Sequence, residues 1–194
     1  MNSYFNNLID IISNSISSMD ENMFEKLIQE CMDTLDNGGK IIVSGLGKNV
    51  PVCEKFVGTM ISLGLNANFM NTNTAVHGDI GMVGEKDLVI VLTKSGETVE
   101  SVYLTELLKK RSAKIWLLSF RENSTLTREI PNSLILQLEH EGDMWDIVPN
   151  NSTVVNLIVL QALAMQLAER KKISLSDFKK NHPGGHIGEQ LKNV

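Results

Sequence analysis

The run from Asp87 to Thr93, DLVIVLT, is apolar at successive positions rather than at alternate ones. Such a strand has no face to show to water, so it predicts a central strand of a parallel sheet covered by helices on both sides. The flanking sequence supplies those helices. Ile11 to Met19 and Asn22 to Leu35 carry apolar residues at three- to four-residue spacing, and Asn37-Gly38-Gly39 closes the second as a C-cap. A strand over Lys40 to Ser44 leads into a helix over Asn49 to Leu63, with Pro51 in the first turn where its missing N–H costs little. Gly64 closes that helix, and a short strand follows at Asn66 to Met70. Beyond the central strand the pattern predicts a helix over Ser95 to Arg111, a strand over Lys114 to Ser119 and a short helix over Ser124 to Glu129. A last strand is expected over Asn132 to Leu138. A long apolar helix over Pro149 to Lys171 and a short one over Ser174 to Lys180, N-capped by Ser174, complete the chain.

Strands alternating with helices of this length predict an α/β fold, and loops at the strand C-terminal ends then carry the ligand site. The expected organisation is one domain over residues 1–194. Helices fill 1–39, the sheet and its helices 40–171, and a terminal segment 172–194. Net charge is −5, which argues against nucleic acid or an anionic membrane as the main partner. The basic cluster Lys109 to Arg111 falls where a helix ends and complements its dipole. Cys31 and Cys53 are read as buried free thiols of a cytoplasmic protein. The N-terminal MNSYFNNLIDIISN lacks the basic region of a signal peptide, and no window approaches the apolar length needed to span a bilayer.

Two loops have the composition of anion sites. Ser44-Gly45-Leu46-Gly47-Lys48-Asn49 joins a strand to a helix, where glycines allow close backbone approach and the helix N-terminus offers free N–H groups. It is not a Walker A loop, which needs glycine at position 42 and Ser or Thr after the lysine; this chain has Ile42 and Asn49. Nor is it a dinucleotide fingerprint, which needs a third glycine where Val50 stands. Thr93-Lys94-Ser95-Gly96-Glu97-Thr98 ends the central strand and opens the next helix. Thr93, Ser95 and Thr98 present three hydroxyls around one small volume, more than an N-cap requires. Hydroxyls and amides with little fixed charge suit a phosphomonoester better than a magnesium-bound triphosphate, for which no acidic ligand pair is evident.

These motifs resemble the two signatures of the sugar isomerase (SIS) domain, a phosphosugar-binding family. HGDIGM at His77 to Met82, PNNST at Pro149 to Thr153 and HPGGHIG at His182 to Gly188 are similar to its arabinose-5-phosphate isomerase branch. The resemblance runs in order from about Lys40 to Gly188. It implies a three-layer, flavodoxin-like fold with a five-stranded parallel sheet. It implies interconversion of D-arabinose 5-phosphate and D-ribulose 5-phosphate in a cytoplasmic homotetramer or homodimer with sites shared between subunits. It places Lys48, Glu100, Glu141 and His182 in the catalytic set, with His77 close by. Thr93, Ser95 and Thr98 would hold the phosphate, and Ser44, Gly45, Gly47 and Ser152 would also meet the substrate. The chain departs from the family at Asn49 and Val50, where serine and glycine are usual. It departs again at Gly142 to Val148, GDMWDIV, where a cysteine-proline pair and small residues are typical. The latter stretch should flank the sugar and bears on which sugar is used. The sequence has no counterpart of the paired CBS modules that follow HPGG in many members, so regulation through them is not expected.

Moving a carbonyl between C1 and C2 needs a base for the carbon proton, a second acid–base group for the oxygen proton, and a donor or cation for the developing oxyanion. No redox cofactor is needed, and no His or carboxylate pair has convincing metal-ligand spacing on one element. One glutamate would serve as carbon base, His182 in ring opening or oxygen proton transfer, and Lys48 as electrostatic stabiliser. The alternatives are an isomerase of another sugar phosphate, such as a hexulose phosphate, and a non-catalytic phosphosugar-binding protein. Regulators of the latter kind usually carry a DNA-binding domain, and no basic helix-turn-helix precedes Lys40.

Overall fold

A computed structural model describes residues 2–193. Its centre is a five-stranded, all-parallel sheet of order β2-β1-β3-β4-β5, with β1 Ile41–Gly45, β2 Ala67–Asn71, β3 Leu88–Thr93, β4 Lys114–Ser119 and β5 Ser133–Ile135. This is the flavodoxin-like order. The expected three-layer α/β fold is therefore found. The double-faced run is its central strand: Leu88, Ile90 and Leu92 join one core with Ile41, Val43, Trp116 and Leu118, while Val89 and Val91 join the other with Ile42 and Leu117. Each such side chain contributes roughly 1.5–3 kcal/mol on leaving water.

The first core is covered by α2 Glu21–Asp36, α3 Asn49–Ser62 and α7 Asn151–Arg170, and the second by α4 Thr72–Ala75, α5 Val99–Lys109 and α6 Thr125–Glu129. Cys31 and Cys53 are fully buried and unpaired, as expected. Burial pushes both thiols up, that of Cys53 to about 12. The basic cluster at the end of α5 is committed within the fold: Lys109 pairs with Glu129 at 2.7 Å, and Arg111 donates to the Val83 carbonyl at 3.2 Å.

Several boundaries differ from expectation. The first helix, α1, runs over Asn2–Ser17 rather than from Ile11. Its weakly apolar start is held by Tyr4, whose hydroxyl donates to the Gly142 carbonyl at 3.3 Å. The strand expected over Asn132 to Leu138 is paired only over Ser133–Ile135. Helix α7 is long and apolar enough by length and composition to cross a membrane, contrary to the sequence reading, but half of that stretch is buried in the core. Helix α8, Leu175–Lys180, opens on a Ser174–Asp177 capping box. An unanticipated helix α9, Gly185–Gln190, follows Pro183, and a 3-10 turn at Asp79–Met82 follows α4.

Candidate active site

The sheet order reverses between β1 and β3, so the chain leaves their C-terminal ends in opposite directions and a crevice opens there. A cleft of about 220 Å³ lies in it, lined from the β1–α3 loop by Gly47, Lys48 and Asn49, from the β3–α5 loop by Thr93, Lys94 and Thr98, and from α7 by Ser152 and Asn156. Both loops require glycine. At Gly45 a Cβ would stand 2.9 Å from Asn49 Cβ and 3.0 Å from Cys53 Sγ, so a side chain there would push α3 off the strand. Gly96 has φ +67°, and a Cβ on it would overlap the Ser124 hydroxyl at the N-cap of α6. Gly96→Ala is therefore expected to destabilise the protein by about 2–3 kcal/mol, from left-handed backbone plus overlap. Thermal melting would show it; an unchanged midpoint would mean that the loop relaxes freely.

The helix expected from Ser95 starts only at Val99, because the preceding residues form a tight loop. Gly96 N–H donates to Thr93 Oγ1 at 3.1 Å and Glu97 N–H to Ser95 Oγ at 3.2 Å. A hydroxyl that accepts from an amide still has its own proton to donate, so these bonds orient two O–H groups rather than consume them. Thr98 is the N-cap of α5 without a side-chain capping bond. Asn49, at the position that departs from the family, accepts from Asn156 Nδ2 at 3.0 Å and ties the start of α3 to α7.

The other expected residues occupy different places. Ser44 is fully buried beneath the cleft, its hydroxyl 3.0 Å from that of Thr72. His77 and Glu100 line a neighbouring cavity of about 350 Å³ with Thr72 and Tyr103. Ser95 faces a third cavity of about 370 Å³ with Lys94, Phe120, Arg121 and Asp146. His182 stacks on Phe178 with ring centroids 3.9 Å apart, its Nδ1 2.9 Å from the Phe178 carbonyl. The adjoining Asn181 donates to the Ser62 carbonyl at the C-terminal end of α3. That end lies opposite the cleft, so one copy of the chain does not bring His182 to Lys48.

Glu141 is fully buried. Its Oε2 accepts from the backbone N–H of Asn150 at 3.0 Å and of Ser152 at 2.9 Å, so it caps α7, whose own N-cap Asn150 makes no side-chain capping bond. Its Oε1 lies 2.6 Å from Lys94 Nζ. Burial opposes the charge, but Lys94 and the α7 N–H groups outweigh it and hold the carboxyl below its usual range. The stretch Gly142 to Val148 folds around Asp143, whose carboxylate accepts from the N–H groups of Trp145, Ile147 and Val148. Met144, Trp145 and Ile147 are left exposed. Lys94 was missing from the expected site. Its only sequence signal was its place between two hydroxyl residues, because the partner that fixes it is 47 positions away.

Residues 34–166 match the SIS domain family model, and the chain belongs to that family. It is 33% identical over 170 residues to an uncharacterized protein of Helicobacter pylori, covering 88% of this chain and 52% of the relative. It is 31% identical over 180 residues to Escherichia coli arabinose 5-phosphate isomerase KpsF, covering 93% and 56%. The chain thus spans about half the length of these curated relatives. Among solved structures, Escherichia coli CFT073 c3406 in complex with arabinose 5-phosphate matches with a TM-score of 0.86 and 30% identity, over 93% of this chain and 94% of that one.

Proposed function

We propose that this protein is an aldose–ketose isomerase that interconverts D-arabinose 5-phosphate and D-ribulose 5-phosphate. The observation that carries the reading is the convergence, at the β1/β3 reversal, of the Thr93–Thr98 hydroxyl loop, the Gly47–Lys48 loop and the start of α7 on one cleft. Similarity to a protein solved with arabinose 5-phosphate and to an enzyme named arabinose 5-phosphate isomerase supports the substrate. The phosphate sits against Thr93, Ser95 and Thr98. The sugar carbons run toward Glu100, two residues along at the start of α5, in the cavity shared with His77.

The geometry favours Glu100 over Glu141 as the carbon base. Glu100 is exposed, and no side-chain hydrogen bond engages it among the described residues. Glu141 has both oxygens engaged and its basicity lowered. Glu100 takes the C2 proton of the open-chain aldose and the electron pair moves to give a cis-enediolate, which then accepts a proton at C1. Lys48 at the cleft offsets the negative charge on the enediolate oxygens. His182 of a second copy assists ring opening or transfers the oxygen proton. The α8–α9 segment bearing it exposes Leu175 and Ile187 for such a contact. A homotetramer or homodimer with shared sites follows from this arrangement.

Incubation with arabinose 5-phosphate in D2O, followed by proton NMR beside ribose, glucose and fructose phosphates, tests the reading. Deuterium should enter ribulose 5-phosphate, and Glu100→Gln should abolish the exchange while Glu141→Gln leaves it slower but measurable. Turnover of a different sugar alone would move the substrate and point to Gly142–Val148; exchange on none would remove the enzyme reading.

A further inference from the structure

Lys94 stands where two cavities meet. It lines the cleft with Lys48 and Thr98, and also the cavity with Ser95 and Arg121. Its backbone is fixed, since its carbonyl accepts from Phe120 N–H at 3.2 Å and from Ser119 Oγ at 3.3 Å. Its side chain is 47% exposed, yet its ammonium is 2.6 Å from the fully buried Glu141 carboxylate. A surface lysine is ordinarily a mobile point charge. This one is tethered from behind by a carboxylate that is itself held by two α7 N–H groups. The pair is a fixed dipole with its negative end in the protein and its positive end at the cleft. The contact is a close ion pair without an aligned hydrogen bond to Oε1, and an ammonium carries three donors, so at least two face an acceptor arriving from outside.

We infer that Lys94 contacts the phosphate of the bound ligand, converting an otherwise neutral cradle of hydroxyls and amides into a cationic one, and that Glu141 acts as the positioning residue that holds it there. The alternative is that Lys94 only neutralises Glu141. Swapping both partners separates the two roles, because Lys94→Met with Glu141→Gln leaves no unpaired buried charge. The inference takes its ligand class from the phosphosugar reading but does not depend on turnover, so inorganic phosphate is the primary probe and arabinose 5-phosphate the second.

Calorimetric titration of the wild-type protein and the double variant should show phosphate binding weakened tenfold or more in the variant, with a smaller dependence on salt. Lys94→Arg, which keeps the charge, should stay within about threefold of wild type. A double variant that binds phosphate as tightly as wild type overturns the inference, as does a wild-type protein that binds none at millimolar concentration. A second measurement needs no folded variant of the pair. With reductively 13C-methylated lysines, the Lys94 resonance, assigned by its absence in Lys94→Arg, should move on adding phosphate to wild type. A resonance that stays in place also overturns the inference. Loss of phosphate binding in a protein that isomerises no sugar would support the Lys94 contact while removing the isomerase.

Discussion

His182→Ala should lower kcat by on the order of 100-fold or more, the usual reach of a general acid–base group, and mixing it with an inactive Lys48→Met variant should restore activity. The reason is position. Asn181 is bonded to the carbonyl of Ser62, the last residue of α3, whereas the cleft sits at the first residue, Asn49. The helix runs fourteen residues from one end to the other, about 20 Å at 1.5 Å rise per residue. A histidine that serves the cleft must therefore come from another copy. After co-refolding, a mixed pair has one site carrying both substitutions and one carrying neither, so random mixing should return about a quarter of wild-type activity in a two-fold arrangement. Assaying the mixture against each variant alone decides it. A mixture that stays as inactive as its parents would mean that His182 and Lys48 serve within one copy or that His182 has no catalytic role.

The elements that periodicity and loop composition described are those whose constraints are local. Two-sided burial is written into DLVIVLT because each successive residue meets a core, and the sheet order around it follows from connection rules rather than from particular side chains. Thr93 and Thr98 line the cleft from one continuous loop, so their proximity was legible, whereas Ser95 of the same loop lines the neighbouring cavity, which the expectation of three hydroxyls around one volume did not separate. The expected helix began too early there, since Ser95 and Thr98 are also good N-cap residues and periodicity does not choose between them. What was not legible is long-range. That Glu141 is a buried cap and not an exposed loop acid depends on Asn150 and Ser152 folding back on it, and on Lys94 from the β3–α5 loop. An acidic loop of Glu139, His140, Glu141 and Asp143 has no pattern marking one member for burial. The helix at Gly185–Gln190 was hidden because two glycines and a preceding proline look like a turn.

Glu141→Ala should cost about 3 kcal/mol of stability, because it removes the partner of the Lys94 ammonium and of two N–H groups at the start of α7. The exposure of Lys94 moderates the loss, since water can take up part of its solvation. For a chain of this length that corresponds to a fall in Tm on the order of 6–12 °C. Glu141→Gln keeps the volume and some of the capping and should lose less. The acid limb gives the sharper test. Burial raises the Glu141 carboxyl, but Lys94 and the α7 N–H groups lower it further, so its folded pKa lies below the ordinary value of 4.5. Its contribution is therefore fully present above that value and disappears as pH falls through the folded pKa, where the unfolded chain already holds the proton. Denaturant unfolding of wild type and Glu141→Gln between pH 7 and pH 3 should show a stability difference that is constant near neutrality and shrinks below about pH 4.5. A difference of equal size at both ends would mean that the loss comes from packing at residue 141 and not from its charge.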